Sequence, residues 1–215
     1  MNNGESWNWW SKRHAKSGAS LRSCCNPIAP FHSCTMADIT TLPDYLEPGL
    51  DIVFVGLNPG LTSVQAGHYF ASPRNRFWPA INRSGLLNEP LNADTGHKAI
   101  EQGIGFTDVV KRPSNGASDL RAADFRQWAP VLKEKLERFQ PLIVCFHGAM
   151  AYRNYLKYAE ETDERPELGL QARSIGCSKV FMVPNPSPAN AAFSFDVLVH
   201  WYCRLKELRD ELKGQ

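Results

Sequence analysis

The stretch from Asp51 to Gly60, Asp-Ile-Val-Phe-Val-Gly-Leu-Asn-Pro-Gly, constrains the fold more than any other part of the chain. Five of its first six residues are apolar, rich in valine and closed by Gly56, a pattern typical of a strand buried on both faces in a parallel sheet. Pro59 and Gly60 then turn the chain sharply out of the sheet, and the turn carries one polar side chain, Asn58. Ligands of open α/β sheets bind at the carboxyl ends of central strands, so a functional polar group is expected there, although Asn-Pro-Gly is also ordinary turn chemistry.

Apolar segments and helical patterns alternate along the rest of the organised chain. Apolar segments occupy residues 105–113, 142–146 and 179–184, and helices are predicted over 75–83, 94–102, 119–139 with an interruption at Pro130, 148–158 and 195–212. Residues 61–78 and the acidic stretch 160–167 are expected to be loops. This alternation predicts one domain over residues 38–215, a three-layer α/β/α sandwich with a mainly parallel central sheet. Crossover connections bring the carboxyl ends of parallel strands to one edge, so Asn58, Asp108, His147 and Asn185 should converge.

Composition and charge limit the class of protein. With 43% hydrophobic and 21% charged residues, the 215-residue chain is an ordinary globular one, and no apolar run approaches the ~20 residues of a membrane-spanning helix. The formal net charge is only +2, so binding to nucleic acid requires a local basic patch. Residues 1–37 show no sustained period and are predicted to be a disordered tail; a translation start at Met36 and a transit peptide are the alternatives.

Several classes of site have no signature in the sequence. The six cysteines form no CxxC pair, which disfavours zinc and iron-sulfur sites. A Gly-rich phosphate loop, an HExxH cluster and a GxSxG elbow are also missing, so we expect neither a metal nor a cofactor. Free-thiol usage without a secretory signal favours an intracellular protein, in the cytoplasm or nucleoid of a bacterium and in the nucleus otherwise.

Four motifs give the chain a more specific resemblance. They are GLNPGLTS at 56–63, GHYFASPRNRFW at 67–78, GFTDVVKRP at 105–113 and NPS at 185–187. In this order they resemble the motifs of the mismatch-specific uracil/thymine-DNA glycosylases, within the uracil-DNA glycosylase superfamily, over roughly residues 45–214. The resemblance implies a monomeric, metal-independent, monofunctional enzyme that binds DNA, flips out a uracil or thymine mispaired with guanine and hydrolyses its N-glycosidic bond, which initiates base excision repair.

Two residues carry the chemistry that the resemblance implies. Asn58 holds the attacking water through its side-chain carbonyl, but an amide cannot take up the proton. Asp108 can act as general base and can also stabilise the cationic sugar of the transition state. The structural alternative for Asp108 is a turn cap after Thr107. Without a lysine nucleophile, we expect no strand cleavage.

The same resemblance places five residues around the base: Leu57, Ser63, His68, Phe70 and Asn185. Phe70 matches the aromatic position that stacks on the flipped base, Ser63 lies where the C5 edge of the base is expected, and Asn185 faces the leaving oxygen. Three of them have an ordinary structural alternative, which is a core phenylalanine for Phe70, a solvated loop residue for His68 and a turn-shaping residue for Asn185.

DNA contacts are expected from the second turn and from a few basic residues. The turn residues are Ser187, Pro188, Ala189 and Asn190, and the basic residues are Arg74, Arg76, Lys111 and Arg112. The turn should fill the space left by the flipped base, but bacterial relatives carry a bulkier leucine and an arginine there. A small wedge favours action on single strands as well as on mismatched duplexes. Isolated exposed arginines usually serve only solubility, which is the alternative for the basic set.

Two rival functions remain open at this stage. One is a DNA-binding relative that recognises lesions without excising them. The other is a glycosylase with the same fold and a different base preference. The sequence does not rank uracil, thymine and damaged pyrimidines, because pocket width depends on backbone placement at the ångström scale.

Overall fold

A computed structural model of the chain describes residues 40–214. The predicted tail over residues 1–37 and the alternative start at Met36 lie outside the described residues. The elements in chain order are β1 (Ile52–Gly56), α1 (Leu61–Ala66), α2 (Phe77–Ser84), a 3₁₀ helix (Gly96–Gln102), β2 (Ile104–Asp108), a 3₁₀ helix (Ala117–Asp119), α3 (Ala122–Phe139), β3 (Ile143–His147), α4 (Ala149–Ala159), β4 (Gly169–Ile175), β5 (Ser178–Val183) and α5 (Phe195–Lys213).

The strands form a single five-stranded sheet with the order β2-β1-β3-β5-β4. The first four of these strands run parallel, and β4 pairs antiparallel with β5 at one edge. β1 lies second in this order, between β2 and β3, and all its residues from Ile52 to Val55 are buried. The prediction of a mainly parallel sheet with a buried first strand is therefore confirmed.

Helices cover both faces of the sheet, so the three-layer prediction is confirmed. Ile52 and Phe54 of β1 belong to a core cluster shared with α2 and α5, whereas Val53 and Val55 belong to a second cluster shared with α3 and α4. The alternation follows from the pleat, because successive side chains of a strand point to opposite faces. Both faces are apolar, which explains why β1 reads as a continuous hydrophobic run.

The connections place a topological switch point at the carboxyl end of β1. The helix pair that follows β1 packs on the face of Phe54, while α4, which follows the neighbouring strand β3, packs on the opposite face. Adjacent parallel strands whose following helices leave to opposite faces define a topological switch point, where ligands of open α/β sheets bind. The fold therefore predicts a ligand site among the loops after β1, β2, β3 and β5.

Two elements were not predicted from the sequence. The loop expected from residue 61 contains α1, a short helix that ends at Gly67 in the left-handed conformation. The edge strand β4 was also missed, because its sequence Gly-Leu-Gln-Ala-Arg-Ser-Ile is half polar and half exposed, and its pairing with β5 is irregular. Ile175 pairs with Ser178 across a two-residue turn that starts at Gly176 (φ 54°), so the hairpin turn was the available signal.

Within residues 40–214, no helix is both long and apolar enough to cross a lipid bilayer.

A buried ion network attaches the start of the described chain to β2 and α3. The Asp44 carboxylate accepts hydrogen bonds from Thr107 Oγ1 at 2.7 Å, Lys111 Nζ at 2.8 Å and Lys135 Nζ at 2.6 Å. Burial alone would raise the pKa of Asp44, but the two ammonium groups hold it below its ordinary value of 3.8. Backbone bonds between Tyr45 and Phe106 continue this attachment.

We expect Asp44→Asn to lower the free energy of unfolding by about 3 kcal/mol, because it leaves two ammonium groups beside a neutral side chain in a largely buried site. Since the folded-state pKa of Asp44 is depressed, its contribution is present at neutral pH and is lost as the pH falls through that folded-state pKa. Urea denaturation at pH 7.5 measures the difference. Asp196→Asn is the control, because its ion pair with Arg83 is exposed and is worth less than about 1 kcal/mol. Equal losses in the two variants contradict the prediction.

Candidate active site

The carboxyl ends of four parallel strands lie side by side at one edge of the sheet. Gly56 of β1 is in register with Asp108 of β2, and His147 of β3 is in register with Val183 of β5. Asn58 follows β1 by two residues and Asn185 follows β5 by two residues. The topology therefore brings the four predicted polar residues to the same edge.

Asp108 is the last residue of β2, and its carboxyl group lies against the backbone of β1. A Cβ atom added to Gly56 would lie only 2.4 Å from Asp108 Oδ1, so the carboxyl occupies the space that a side chain at position 56 would need. The Asp108 residue is 6% exposed. Its Oδ2 atom is buried and receives no hydrogen bond from any residue that the structure describes. A buried carboxylate oxygen of this kind is suited to accept a proton or a hydrogen bond from a ligand or a water molecule.

The surroundings give Asp108 a pKa in the neutral range. Burial raises the pKa of this carboxyl from its ordinary value of 3.8 to about 7. The positive charge of Lys111 lowers this pKa, the negative charge of Asp44 raises it, and the Tyr69 hydroxyl lowers it. A general base works best when its pKa lies near the operating pH, because it must be deprotonated and still bind a proton strongly. The site therefore suits Asp108 to general-base chemistry near neutral pH.

Asn58 is held in one orientation by the chain that follows β2. Its Nδ2 group donates to the carbonyl oxygens of Pro59 at 3.2 Å and Arg112 at 3.1 Å, and to Ser114 Oγ at 2.8 Å. Ser114 Oγ itself donates to Gly116 O, so it must accept from Asn58. Because carbonyl oxygens can only accept, these partners fix the amide nitrogen and leave Oδ1 at the other end of the amide to accept a hydrogen bond from water.

Aromatic rings line the edge of the sheet beside these residues. Phe70 stacks on Phe77 with a centroid distance of 3.9 Å, and it meets the His147 ring edge-on at 5.5 Å. Phe70 is half-buried and has a φ of 56°, a left-handed conformation that a phenylalanine rarely adopts. Strained backbone of this kind persists only where packing enforces it, and it clusters at ligand sites. The position is compatible with both the predicted stacking role and a packing role.

The loop before Phe70 carries the other predicted pocket residues. Ser63 belongs to α1, and its Oγ accepts a hydrogen bond from Ala71 N at 3.3 Å. His68 is half-buried, and its backbone nitrogen donates to Ser63 O. Leu57 is half-buried against the core cluster on the α3–α4 face. Ser63 therefore supports the turn that presents Phe70.

The second turn, residues 185–190, is shaped by its own hydrogen bonds. Asn185 Oδ1 accepts from Ser187 N at 2.9 Å, and Asn190 Nδ2 donates to Asn185 O at 2.9 Å. Pro188 and Ala189 are exposed at its tip. The Asn185 oxygen is thus used inside the turn, as the turn-shaping alternative requires, and its Nδ2 group remains for a ligand.

Three of the four basic residues that were predicted to contact DNA bind other groups of the protein instead. Lys111 is 7% exposed and ion-paired with Asp44, so we replace its predicted phosphate contact by a structural role. Arg112 is half-exposed, and both Asp124 carboxylate oxygens accept its hydrogen bonds, at 2.6 and 2.8 Å. Arg76 donates to backbone carbonyls of the chain between β5 and α5. Arg74 is exposed and is the simplest candidate of the set for a phosphate contact.

His147, whose place at this edge was predicted but not its role, is a buried neutral group. It is 3% exposed, stacks on Phe54 at a centroid distance of 5.0 Å, and shares a hydrogen bond of 3.1 Å between Nε2 and the Tyr202 hydroxyl. Burial lowers the pKa of His147 to about 3, so the ring is uncharged at neutral pH.

The sequence did not identify Asp44 and Tyr69 as residues of the site, because their roles depend on contacts with distant residues and no local motif marks them.

The fold and the site define an α/β protein with a desolvated carboxyl group and an oriented amide at adjacent strand ends. Comparison with known families gives a match to the model of the Uracil DNA glycosylase superfamily over residues 43–206. Because this match spans most of the chain, the protein belongs to the uracil DNA glycosylase superfamily, a group of DNA repair glycosylases.

A solved structure with the same fold is the solution NMR structure of a candidate uracil DNA glycosylase from Methanosarcina acetivorans. The two chains are 20% identical, the superposition covers 80% of this chain and 97% of the other, and the TM-score is 0.52. This likeness supports the fold and carries no information on substrate.

Proposed function

We propose that this protein is a monofunctional DNA glycosylase of the mismatch-specific uracil/thymine type. It removes uracil, and also thymine or damaged pyrimidines, from opposite guanine and so initiates base excision repair. The observation that carries the proposal is the Asp108 carboxyl, which is buried at the switch point of a uracil DNA glycosylase fold and has a pKa of about 7. One of its oxygens has no hydrogen-bond partner among residues 40–214. A purely structural turn cap would use its oxygens on neighbouring backbone groups.

The chemistry follows from these two side chains. Asn58 Oδ1 orients a water molecule, and Asp108 accepts its proton as the water oxygen forms a bond to C1′ of the sugar. The C1′–N1 bond breaks, and its electron pair leaves with the base as an anion. The transition state resembles an oxocarbenium ion, which the carboxylate charge of Asp108 stabilises. The products are the free base and an abasic site.

The substrate must be flipped out of the helix before this step. Unpairing and unstacking a base costs a few kcal/mol, and a mispaired base costs less, which gives selectivity for mismatches. Phe70 supplies the aromatic wall, Ser63 supports it, and Asn185 Nδ2 is available to the leaving oxygen. Because Pro188 and Ala189 form a small, exposed tip, the duplex wedge is weak and we propose activity on single strands as well.

The monofunctional assignment rests on Lys111. A strand-cleaving glycosylase uses a free amine as nucleophile. The lysine closest in sequence to Asp108 is Lys111, and its ammonium is ion-paired with Asp44 at 2.8 Å. A paired, buried ammonium is not a nucleophile, so the abasic product should remain intact until it is treated with alkali.

The test uses four labelled oligonucleotides, with uracil opposite guanine, thymine opposite guanine, uracil opposite adenine, and uracil in a single strand. We expect alkali-labile sites with uracil opposite guanine and in the single strand, slower reaction with thymine opposite guanine, and no breaks before alkali treatment. Tight binding to the mismatched duplexes without alkali-labile sites would instead identify a protein that recognises lesions without excising them. Breaks that appear without alkali would contradict the monofunctional assignment.

A further inference from the structure

Arg76 connects the loop after β1 to the loop after β5. It directly precedes α2, and its side chain reaches the segment 185–193, which follows β5 and precedes α5. Its guanidinium donates through Nε to Pro186 O at 3.4 Å, through Nη1 to Phe193 O at 2.6 Å, and through Nη2 to Ser187 O at 3.2 Å and Asn190 O at 2.8 Å. The backbone nitrogen of Arg76 also donates to Pro186 O at 3.2 Å. One residue therefore spans almost the whole segment.

The segment depends on this side chain for its attachment. The bonds of Asn185, Ser187 and Asn190 to one another are all short-range, so they shape the turn without fixing it against the rest of the protein. Arg76 is more than 100 residues away in sequence, and its rigid planar fork holds four carbonyls in one arrangement. A lysine could not reproduce this, because its ammonium is a single point with three donors.

Among residues 40–214, the acceptors of the Arg76 side chain are all backbone carbonyls, so these contacts do not neutralise its charge. The charge of Arg76 acts on the buried pair that His147, at the end of β3, forms with Tyr202. Burial raises the pKa of the Tyr202 hydroxyl, and the charge of Arg76 opposes this. Tyr202 in turn contacts His147 Nε2. The segment 185–193 thus lies over a cation at the edge of the sheet where the DNA backbone is expected.

We propose that Arg76 is a positioning residue that fixes the segment 185–193 in the conformation that packs against duplex DNA. The proposal rests on the proposed function and replaces the direct phosphate contact predicted for Arg76. Loss of the Arg76 side chain should therefore affect duplex binding and the chemical step differently. Duplex binding should weaken because the segment becomes free to move. Asn58 and Asp108 should be unaffected, because neither contacts Arg76 or the segment through any hydrogen bond of the described chain.

The test compares Arg76→Ala with wild-type protein by fluorescence anisotropy on a duplex with uracil opposite guanine and on the same strand alone. We expect the duplex Kd to rise about ten- to hundredfold, which is the effect of losing hydrogen bonds to a charged group. Excision from the single strand should fall by less than about tenfold, and by less than duplex binding, because Asn58 and Asp108 are intact and only Asn185 lies in the freed segment. Arg83→Ala is the matched control, because Arg83 lies in α2, the helix that follows Arg76, and its ion pair with Asp196 is exposed. This variant should leave the duplex Kd unchanged.

Chemical rescue separates positioning from general destabilisation. Millimolar methylguanidinium should restore part of the duplex binding of Arg76→Ala, because it can donate to the same four backbone carbonyls. Ammonium chloride at equal ionic strength is the control. A destabilised protein would not recover in the presence of a denaturant-like cation. Equal losses on duplex and single strand without rescue, or an unchanged duplex Kd, overturn the proposal. The binding measurement does not require excision, so it tests Arg76 even if the proposed enzymatic function fails.

Discussion

Asp108→Ala lowers the single-turnover rate of uracil excision by about a thousandfold, whereas Asn58→Ala leaves clearly measurable activity. The reason is that a general base contributes about 10²–10⁴-fold, and the neighbouring Asp44 carboxylate cannot replace Asp108 because two lysine ammonium groups hold it. Asn58 orients the water but takes up no proton, and a carboxylate can still activate a less ordered water. The measurement is excision of uracil opposite guanine with excess protein. Ser114→Ala, which removes one of the three partners of the Asn58 amide, shows how much of the Asn58 effect comes from the turn.

The same residue should set the pH dependence of the reaction. A pKa of about 7 means that Asp108 is protonated and inactive as a base below this pH, and ionised above it. The rate therefore rises with pH through about 7 and then levels off in the wild-type protein. Asp108→Asn should lose this dependence, because the amide does not titrate. A greater loss in Asn58→Ala than in Asp108→Ala, or an unchanged pH profile in Asp108→Asn, would refute the assignment of the base.

Gly56→Ala lowers the excision rate by about a hundredfold, although the residue at position 56 takes no part in the chemistry. The added Cβ would lie 2.4 Å from Asp108 Oδ1, so the carboxyl must move by more than half an ångström or the two strands must separate. Displacing a catalytic group by about 1 Å costs on the order of 10²-fold. Gly60→Ala is the matched control, because it lies four residues further on in the loop after β1, has a φ of −75° and has no atom within 4 Å of the added Cβ. We expect its rate to stay within about threefold of wild type.

A double variant distinguishes displacement of Asp108 from general damage to β1. In the Asp108→Ala background the clashing oxygen is gone, so Gly56→Ala should cost little further stability. In the wild-type background it should cost about 1–3 kcal/mol, as small-to-large substitutions in packed sites do. Coupling between two sites is measured by such a cycle in urea denaturation. Additive losses at the two positions would show that the Gly56 effect does not act through Asp108.

The sequence alone determined the features that depend on local pattern. The valine-rich run closed by Gly56 predicted a strand buried on both faces, and Asn58-Pro59-Gly60 predicted the sharp exit from the sheet; the structure contains both. Alternating elements then predicted the three-layer architecture and the edge of the sheet on which Asn58 and Asp108 both lie. These inferences succeed because hydrophobic period and turn chemistry are encoded in neighbouring residues.

The tertiary structure decided which polar groups are available for chemistry. Lys111 looks like a phosphate ligand in sequence, but Asp44, 67 residues away, pairs with it. Arg76 looks like another, but it binds carbonyls 110 to 117 residues away. The near-neutral pKa of Asp108 arises from burial, which no local pattern reports. Charge pairing and desolvation depend on which distant segments pack together, so the residue types could be read from the sequence while their electrostatic states were fixed only by the fold.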